Sequence, residues 1–307
     1  MQVTANMVKE LRERTQAGMS DCKNALVEAA GDMEKAVEVI LKKGLVKAAK
    51  TAGKVASEGE VRTHVSEDGK RGTIVEINSQ TDFVARGDDF KSFVGQVLEA
   101  ATKLERGADL SAAKLASGQT VEEARQAIAG RIGENIVVRR WDTISVGDGG
   151  LVQSYVHMGG KNAALIAVEV SNDGHKHEGV RGFLENVAMQ IVAMRPLVVD
   201  RLNLTEAEIA KQKEIFEGQL KEEGKPEASW PKILEGKLSK WFTEVTLLGQ
   251  ENVWEAGAGT IDKIRQELGK SLGGEVSIKE FVRFELGEGI AKKQENLADE
   301  VAKTIGN

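Results

Sequence analysis

Thr120-Val121-Glu122-Glu123-Ala124-Arg125-Gln126-Ala127-Ile128 resembles Thr260-Ile261-Asp262-Lys263-Ile264-Arg265-Gln266-Glu267-Leu268 at the same spacing, and this pair decides the fold. Each segment leads through a glycine, Gly133 or Gly273, into a strand-like run, Asn135 to Ile144 or Glu275 to Leu286. What comes before each also recurs. Gly59 to Ser79 reads as two strands around a Glu67-Asp68-Gly69-Lys70 turn, and Gly150 to Ser171 as two strands around Gly159-Gly160-Lys161. Val75-Glu76-Ile77 is echoed by Val168-Glu169-Val170. An apolar helical face follows each hairpin: Phe90, Phe93, Val94, Val97 and Leu98 in the first, Val180, Phe183, Leu184, Val187 and Ile191 in the second. One such match is chance, but two in the same order predict a duplication. The expected fold class is α+β, with a duplicated core of two small antiparallel sheets. Each sheet is a hairpin plus a third strand, covered by helices.

Three further segments flank or interrupt this core. The first 45 residues or so read as three short helices. Thr4 caps the first, with Met7, Val8 and Leu11 on its apolar face. Ser20 caps the second, carrying Cys22, Ala25, Leu26 and Ala29. Gly31-Asp32 recaps a third, with Met33, Ala36, Val37, Ile40 and Leu41 on one side and Gly44 as its stop. Lys42, Lys43, Lys47, Lys50 and Lys54 follow with no acid among them, a solvated helix and tether. Leu204 to Thr246 has no counterpart in the first repeat. Thr205 opens one helix, Gly224-Lys225-Pro226 turns the chain, and Trp230, Leu234, Leu238, Trp241 and Val245 line a second. This predicts an antiparallel helical hairpin with the aromatic stripe as its seam, each arm of about 18 residues reaching roughly 27 Å. Finally, Gly287-Glu288-Gly289 breaks the chain before a tail in which Leu297, Val301 and Ile305 recur every four residues, as in a helix. The expected divisions are 1–55, 56–147, 148–203 with 247–286, the insertion 204–246, and 287–307.

Composition narrows the function. The chain has 307 residues, 41% hydrophobic and 29% charged, with a formal net charge of −6, which disfavours a mainly nucleic-acid-binding surface. A single cysteine, Cys22, excludes an internal disulfide and any multi-cysteine metal site. The N-terminus runs directly into an amphipathic helix, and no apolar run reaches membrane length, so a cytoplasmic protein is expected. Catalytic constellations are missing. His64 and His157 fall on strands, His175 and His177 in a turn, and neither a zinc-protease motif nor a nucleophile elbow occurs. Gly269-Lys270-Ser271 imitates the end of a phosphate loop, but Ile264 stands where that loop needs glycine and a helix precedes it. No enzyme activity and no cofactor are expected.

One stretch breaks the strand rules that lead into it. After Thr73 to Ile77 come Asn78, Ser79, Gln80, Thr81 and Asp82, all turn-favouring, then Phe83, Val84, Ala85 and Arg86, before Gly87-Asp88-Asp89 opens a helix. Aromatics make up 4% of the chain, so a phenylalanine between an acid and a base at a loop tip needs a reason. It is either a core anchor, with Asp82 capping the turn, or a rigid probe offered to a partner. The second repeat favours the probe: at the same corner it reads Ser171-Asn172-Asp173-Gly174-His175, with no aromatic.

Glu76 to Arg86 and Leu11 to Leu26 (LRERTQAGMSDCKNAL) resemble the two signatures of the elongation factor Ts family, the guanine-nucleotide exchange factors of elongation factor Tu. The likeness continues through Ile132-Gly133-Glu134-Asn135-Ile136, Ser154-Tyr155-Val156-His157 and Val282 to Gly289, essentially the whole chain. It implies an N-terminal domain like the ubiquitin-associated three-helix fold, the duplicated core, the hairpin insertion and a C-terminal helical module. It also implies elongation factor Tu, GDP-bound or nucleotide-free, as partner, in a 1:1 complex or a dimer of heterodimers, with no membrane and no direct nucleic-acid contact. The implied partner-binding residues are Thr81, Asp82, Phe83, Val84, Ala85 and Arg86, which disturb the Mg²⁺ and phosphate region, with further contacts at Met19, Ile132, Gly133 and His157. Arg86 stands where the family often has lysine. The rival reading is a non-catalytic adaptor binding RNA or acidic partners through Lys42 to Lys54.

Overall fold

The computed structural model describes residues 3–15 and 17–291. It is a mixed α+β protein with two three-stranded antiparallel sheets. In chain order the elements are α1 (Ala5–Thr15), α2 (Met19–Glu28), α3 (Met33–Thr51), β1 (Glu58–Val65), β2 (Arg71–Ser79), α4 (Asp82–Arg86), α5 (Asp88–Thr102), α6 (Val121–Ile132) and β3 (Val137–Ser145). There follow β4 (Gly150–His157), β5 (Asn162–Val170), α7 (Glu178–Met194), α8 (Glu206–Glu222), α9 (Trp230–Val245), α10 (Ile261–Ser271) and β6 (Val276–Glu285). One sheet has the order β1-β2-β3 and the other β4-β5-β6. In the second, the β4–β5 register runs from Gly150 opposite Glu169 to His157 opposite Asn162. The tail helix expected beyond Gly287 lies, from residue 292 on, outside the described residues.

The chain divides into two compact units. Among the described residues, one comprises those up to Val61, Val75–Trp141 and 285–291; the other comprises Arg62–Ile74 and Asp142–Phe284. In the first, Val75 and Ile77 of β2 pack with Phe90, Phe93, Val94 and Val97 of α5, Val121 and Ile128 of α6, and Ile136. In the second, Ile166, Val168 and Val170 of β5 meet Val180, Leu184, Val187 and Ile191 of α7, with Ile261, Val276 and Ile278 closing the core.

The duplication holds down to individual hydrogen bonds. Thr120 caps α6 by accepting from Glu123 N, and Thr260 caps α10 by accepting from Lys263 N. The Arg125 guanidinium grips Glu122 and donates to Ile136 O at 2.9 Å, while Arg265 grips Asp262 and donates to Val276 O at 2.6 Å. Gln126 and Gln266 donate to those same two carboxylates. In each unit, then, an arginine ties the helix to the start of the third strand, at the residue just before β3 in the first and at the first residue of β6 in the second. Charged groups used this way add about 1.5–3 kcal/mol per bond and fix strand direction.

The N-terminal helices behave largely as their apolar spacing dictates, around Val8, Leu11, Cys22, Ala25, Leu26 and Ala36. Two expectations fail. Ser20 is not a cap: Gly18 holds the N-cap position of α2 without a side-chain bond, and Ser20 lies inside the helix. Gly44 is not a stop, since α3 continues to Thr51. It lies where α3 meets α6, and the missing side chain that this approach requires is that of Gly130, since a Cβ on Gly44 would make an ordinary contact at 3.9 Å from Gly130 Cα. A Cβ built on Gly130 of α6 would lie 2.2 Å from Gly44 O, so α3 and α6 touch backbone to backbone. The helix tolerates a glycine's cost of about 1 kcal/mol in exchange for that approach. The lysine run is solvated helix as expected, Lys42, Lys43, Lys47 and Lys50 being exposed on α3 with Lys43 bonded to Glu28 and Lys47 to Asp21, while Lys54 lies beyond the helix end.

Gly130→Ala is expected to lower stability by about 1–3 kcal/mol, because the methyl meets backbone rather than a side chain that could turn away. A fall in the urea unfolding midpoint reads this out. An unchanged midpoint would mean that α3 can move off α6 at no cost.

The insertion forms the expected antiparallel hairpin. A reciprocal Thr205–Glu208 capping box opens α8, and Gly224, with φ +66°, begins the turn that reverses the chain. Its seam differs from the expectation. The fully or nearly buried contacts are Leu220 and Leu234, whereas the aromatics are only partly covered. Trp230 donates its indole N–H to Lys225 O at 2.9 Å, and Phe242 lies 4.0 Å beneath the Arg201 guanidinium. Lys237 bridges the arms to Gln219 and Glu223. A two-helix seam has too little interior to bury a tryptophan on every turn, so the rings lie along its flanks.

Candidate exchange site

The site grows from the end of β2, a strand buried from Gly72 to Ser79. Ser79 donates its hydroxyl to Thr81 O at 2.9 Å, and Thr81 is extended (φ −118°, ψ 152°). Its Oγ1 accepts from Val84 N and so caps the five-residue helix α4. The cap is therefore Thr81 and not Asp82, which lies in the first helical turn and pairs with Arg86 at 2.8 Å across one turn. Gly87 ends α4, donating to Val84 O, and at the same time begins α5.

One turn of helix sorts these side chains by direction. Ala85 is buried in the first core and Val84 packs against it, while Phe83 projects outward and is 83% exposed. The core-anchor reading of Phe83 is thereby excluded. Leaving a phenylalanine in water forgoes about 2–3 kcal/mol of burial, which the fold alone does not recover. The corresponding corner of the second unit needs no such residue: Asn172 and Asp173 take left-handed φ values of 56° and 58° and lead into a single tight turn.

The floor of the site comes from α6. Ile132 packs against the first core, Gly133 closes the helix at φ +85°, and the next residue, Glu134, reaches back to the aromatic turn. Its carboxylate accepts the Thr81 N–H at 3.1 Å and the Thr81 hydroxyl at 2.7 Å. Asn135 then donates to Ala52 O and Lys54 O, tying the end of the N-terminal segment to the same corner. The Glu134 bonds to Thr81 thus link the Thr81–Arg86 turn to the end of α6, where Ile132 and Gly133 lie. Met19 stands apart at the start of α2 and is 49% exposed. His157 belongs to the other unit, exposed at the end of β4, where its Nδ1 lies 3.0 Å from the Tyr155 hydroxyl.

Sequence reading missed two residues here. Glu134 lies far from Thr81 along the chain and carries no local signal of that pairing. Glu76, six positions before Asp82, is fully buried between Arg139 at 2.8 Å and Arg140 at 2.5 Å and also accepts Gly287 N–H at 2.8 Å. Burial by itself would raise its pKa, but the Gly287 N–H and the two guanidinium groups outweigh that and hold it below the usual carboxylate range. Arg139 in turn donates to Glu288 O, and Arg140 pairs with Glu288 at 3.2 Å. A charge buried in a strand that also alternates with apolar residues looks, in sequence, like an ordinary solvent-facing position.

The hydroxyl that lies against a carboxylate here, Thr81 on Glu134, is engaged in capping α4. Among the described residues, no three His, Cys, Asp or Glu side chains are grouped to hold a metal ion, and no helix is long and apolar enough to cross a membrane. What it offers is an aromatic ring on a short, capped helix, flanked by a carboxylate and a guanidinium. Such a device can wedge and bind.

Comparison with known proteins agrees in kind. The family model described as Elongation factor TS matches residues 80–288, from just before the aromatic turn to just beyond β6. Elongation factor Ts of Clostridium perfringens is 47% identical over 308 residues, covering 99% of both chains. Elongation factor Ts of a Nitratiruptor species is 46% identical over 304 residues, covering 98% of this chain and 99% of that one. Clostridium kluyveri elongation factor Ts is 43% identical over 311 residues, at 99% coverage of each. With a duplicated α+β core, an exposed Asp-Phe turn and full-length relatives of one name, this chain belongs to the elongation factor Ts family.

Proposed function

We propose that this elongation factor binds the GTPase elongation factor Tu in the cytoplasm and promotes GDP release, by inserting the Asp82-Phe83 turn near the GTPase's Mg²⁺ and phosphate site. The observation that carries the reading is Phe83, 83% exposed on a turn whose neighbours Val84 and Ala85 are anchored in the core. An exchange factor transforms nothing covalently. It must bind better when the nucleotide site is disrupted, and linkage makes that preference reciprocal: what weakens GDP by a given free energy is weakened by GDP to the same extent. A stiff ring displaces switch elements, and a carboxylate beside it competes for the surroundings of the metal that bridges protein and phosphates. Here Asp82 is paired with Arg86, which orients the carboxylate along the helix. Met19, Ile132, Gly133 and His157 are proposed as further contacts that add affinity for the partner.

The adaptor reading loses ground, because two of its five lysines are committed to Glu28 and Asp21 within the N-terminal helices. The deciding experiment is release of labelled GDP from elongation factor Tu with and without the protein. Acceleration at substoichiometric amounts is expected; a rate unchanged at saturating protein would refute the proposal.

A further inference from the structure

Five residues make a poor helix on their own. An isolated turn gains one hydrogen bond per several fixed torsions and melts readily in water. α4 nevertheless carries Phe83, whose usefulness as a wedge depends on its direction. What holds the turn is therefore a functional matter. Within the turn, the Asp82–Arg86 pair is exposed on both sides and contributes little, as such pairs do. Ala85 and Val84 fasten the inner face, and at the entry Ser79, the buried end of β2, donates its hydroxyl to Thr81 O, which leaves the Thr81 N–H and side chain to be held from elsewhere. The entry is fixed by Thr81, all of whose polar hydrogens are spent within the chain. Its N–H and hydroxyl both go to Glu134, while the same hydroxyl oxygen accepts from Val84 N.

We infer that Glu134 is a positioning residue for the wedge: it clamps Thr81 to the end of α6 and so sets the direction in which Phe83 is presented. Thr81 acts with it, serving the turn rather than touching the partner through its side chain. The inference rests on the exchange reading above. The chemistry suits a clamp better than a general structural bond. A carboxylate offers two acceptor oxygens to two donors of one residue, and that bidentate grip fixes both position and rotation. Gly133, at φ +85°, turns the chain so that Glu134 follows directly on the floor residue Ile132. One clamp therefore aligns the wedge with a second proposed contact.

Two measurements test this together. In the free protein, amide hydrogen exchange at Val84 and Ala85 is expected to accelerate in Glu134→Ala and to stay near the parent in Glu134→Gln, which keeps an acceptor for the Thr81 N–H. Protection unchanged in Glu134→Ala overturns the clamp whatever the activity. In the GDP-release assay at saturating factor, Glu134→Ala is expected to be slower by about tenfold, the scale set by losing a charge-assisted pair, with Glu134→Gln restoring most of the rate. Because the clamp acts through the ring, the loss must vanish in a Phe83→Ala background. Losses that simply multiply in the double variant, or an unaffected Glu134→Ala, would overturn the inference. Wild-type protein that fails to accelerate release defeats the exchange reading instead, and the hydrogen-exchange result still judges the clamp.

Discussion

Phe83→Ala is expected to lower stimulated GDP release by about 100-fold, the cost of truncating an aromatic hot spot worth roughly 2–4 kcal/mol. The same change is expected to leave folding nearly untouched, within about 0.5 kcal/mol, because the ring is 83% exposed and no core contact is lost. This separation of activity from stability is the signature sought. Phe90, seven residues on, provides the contrast: it is fully buried in the first core, and its truncation costs about 3–5 kcal/mol of stability. Stopped-flow release of a fluorescent GDP analogue, paired with thermal unfolding of each variant, distinguishes the two. Parent exchange rates in Phe83→Ala would remove the wedge from the mechanism, and a large loss of stability would show that the ring packs after all.

Replacing Glu76 with alanine is expected to destabilise the protein by about 3–5 kcal/mol, a loss on the scale of truncating a buried aromatic. The reason is not the strength of the ion pair in itself. Removing one carboxylate takes a fully buried counter-charge from two guanidinium groups, Arg139 and Arg140, that are mostly withdrawn from water and keep their bonds to Glu285 and Glu288, and it leaves the Gly287 N–H without this acceptor. A pH dependence follows with a definite sign. The folded pKa of Glu76 is depressed, so its contribution is fully present above the unfolded carboxylate value of about 4.3 and is lost as pH falls toward the folded value. Urea midpoints measured from neutral pH down into that range are expected to fall for the parent more steeply than for Glu76→Ala. Parallel acid limbs in the two proteins would show that Glu76 is not the titrating group. The segment from Glu285 to Glu288 is expected to lose hydrogen-exchange protection first, since Glu76 is what holds it to β2.

Much of this was legible along the chain. Hairpins announced themselves by turn residues between β-rich runs, and helices by caps and apolar spacing, because those signals are local. The duplication was visible because Thr120, Arg125 and Gln126 recur as Thr260, Arg265 and Gln266 in the same order, and the structure gives each pair the same bonding partners. Phe83 stood out for a reason of comparison: the second copy does without it. Glycines misled where their role was spatial. A glycine at a helix end and a glycine inside a helix look alike in sequence: Gly44 reads as the first but lies within α3, facing the Gly130 whose missing Cβ lets the two backbones meet. The aromatic stripe of the insertion misled in a similar way, since spacing identifies a face but not how deeply that face is covered.

The sequence by itself determined the order and type of the elements, the doubling of the core and the presence of an unusual acid–aromatic turn. All of these depend on neighbours a few residues apart or on a pattern repeated along the chain. Only the tertiary structure decided that Phe83 points into solvent while Val84 and Ala85 point inward, that Glu134 grips Thr81, and that Glu76 is a buried charge between two arginines. Those facts are set by groups far apart in sequence, and the free energy of a buried carboxylate depends on which distant donors the fold brings to it.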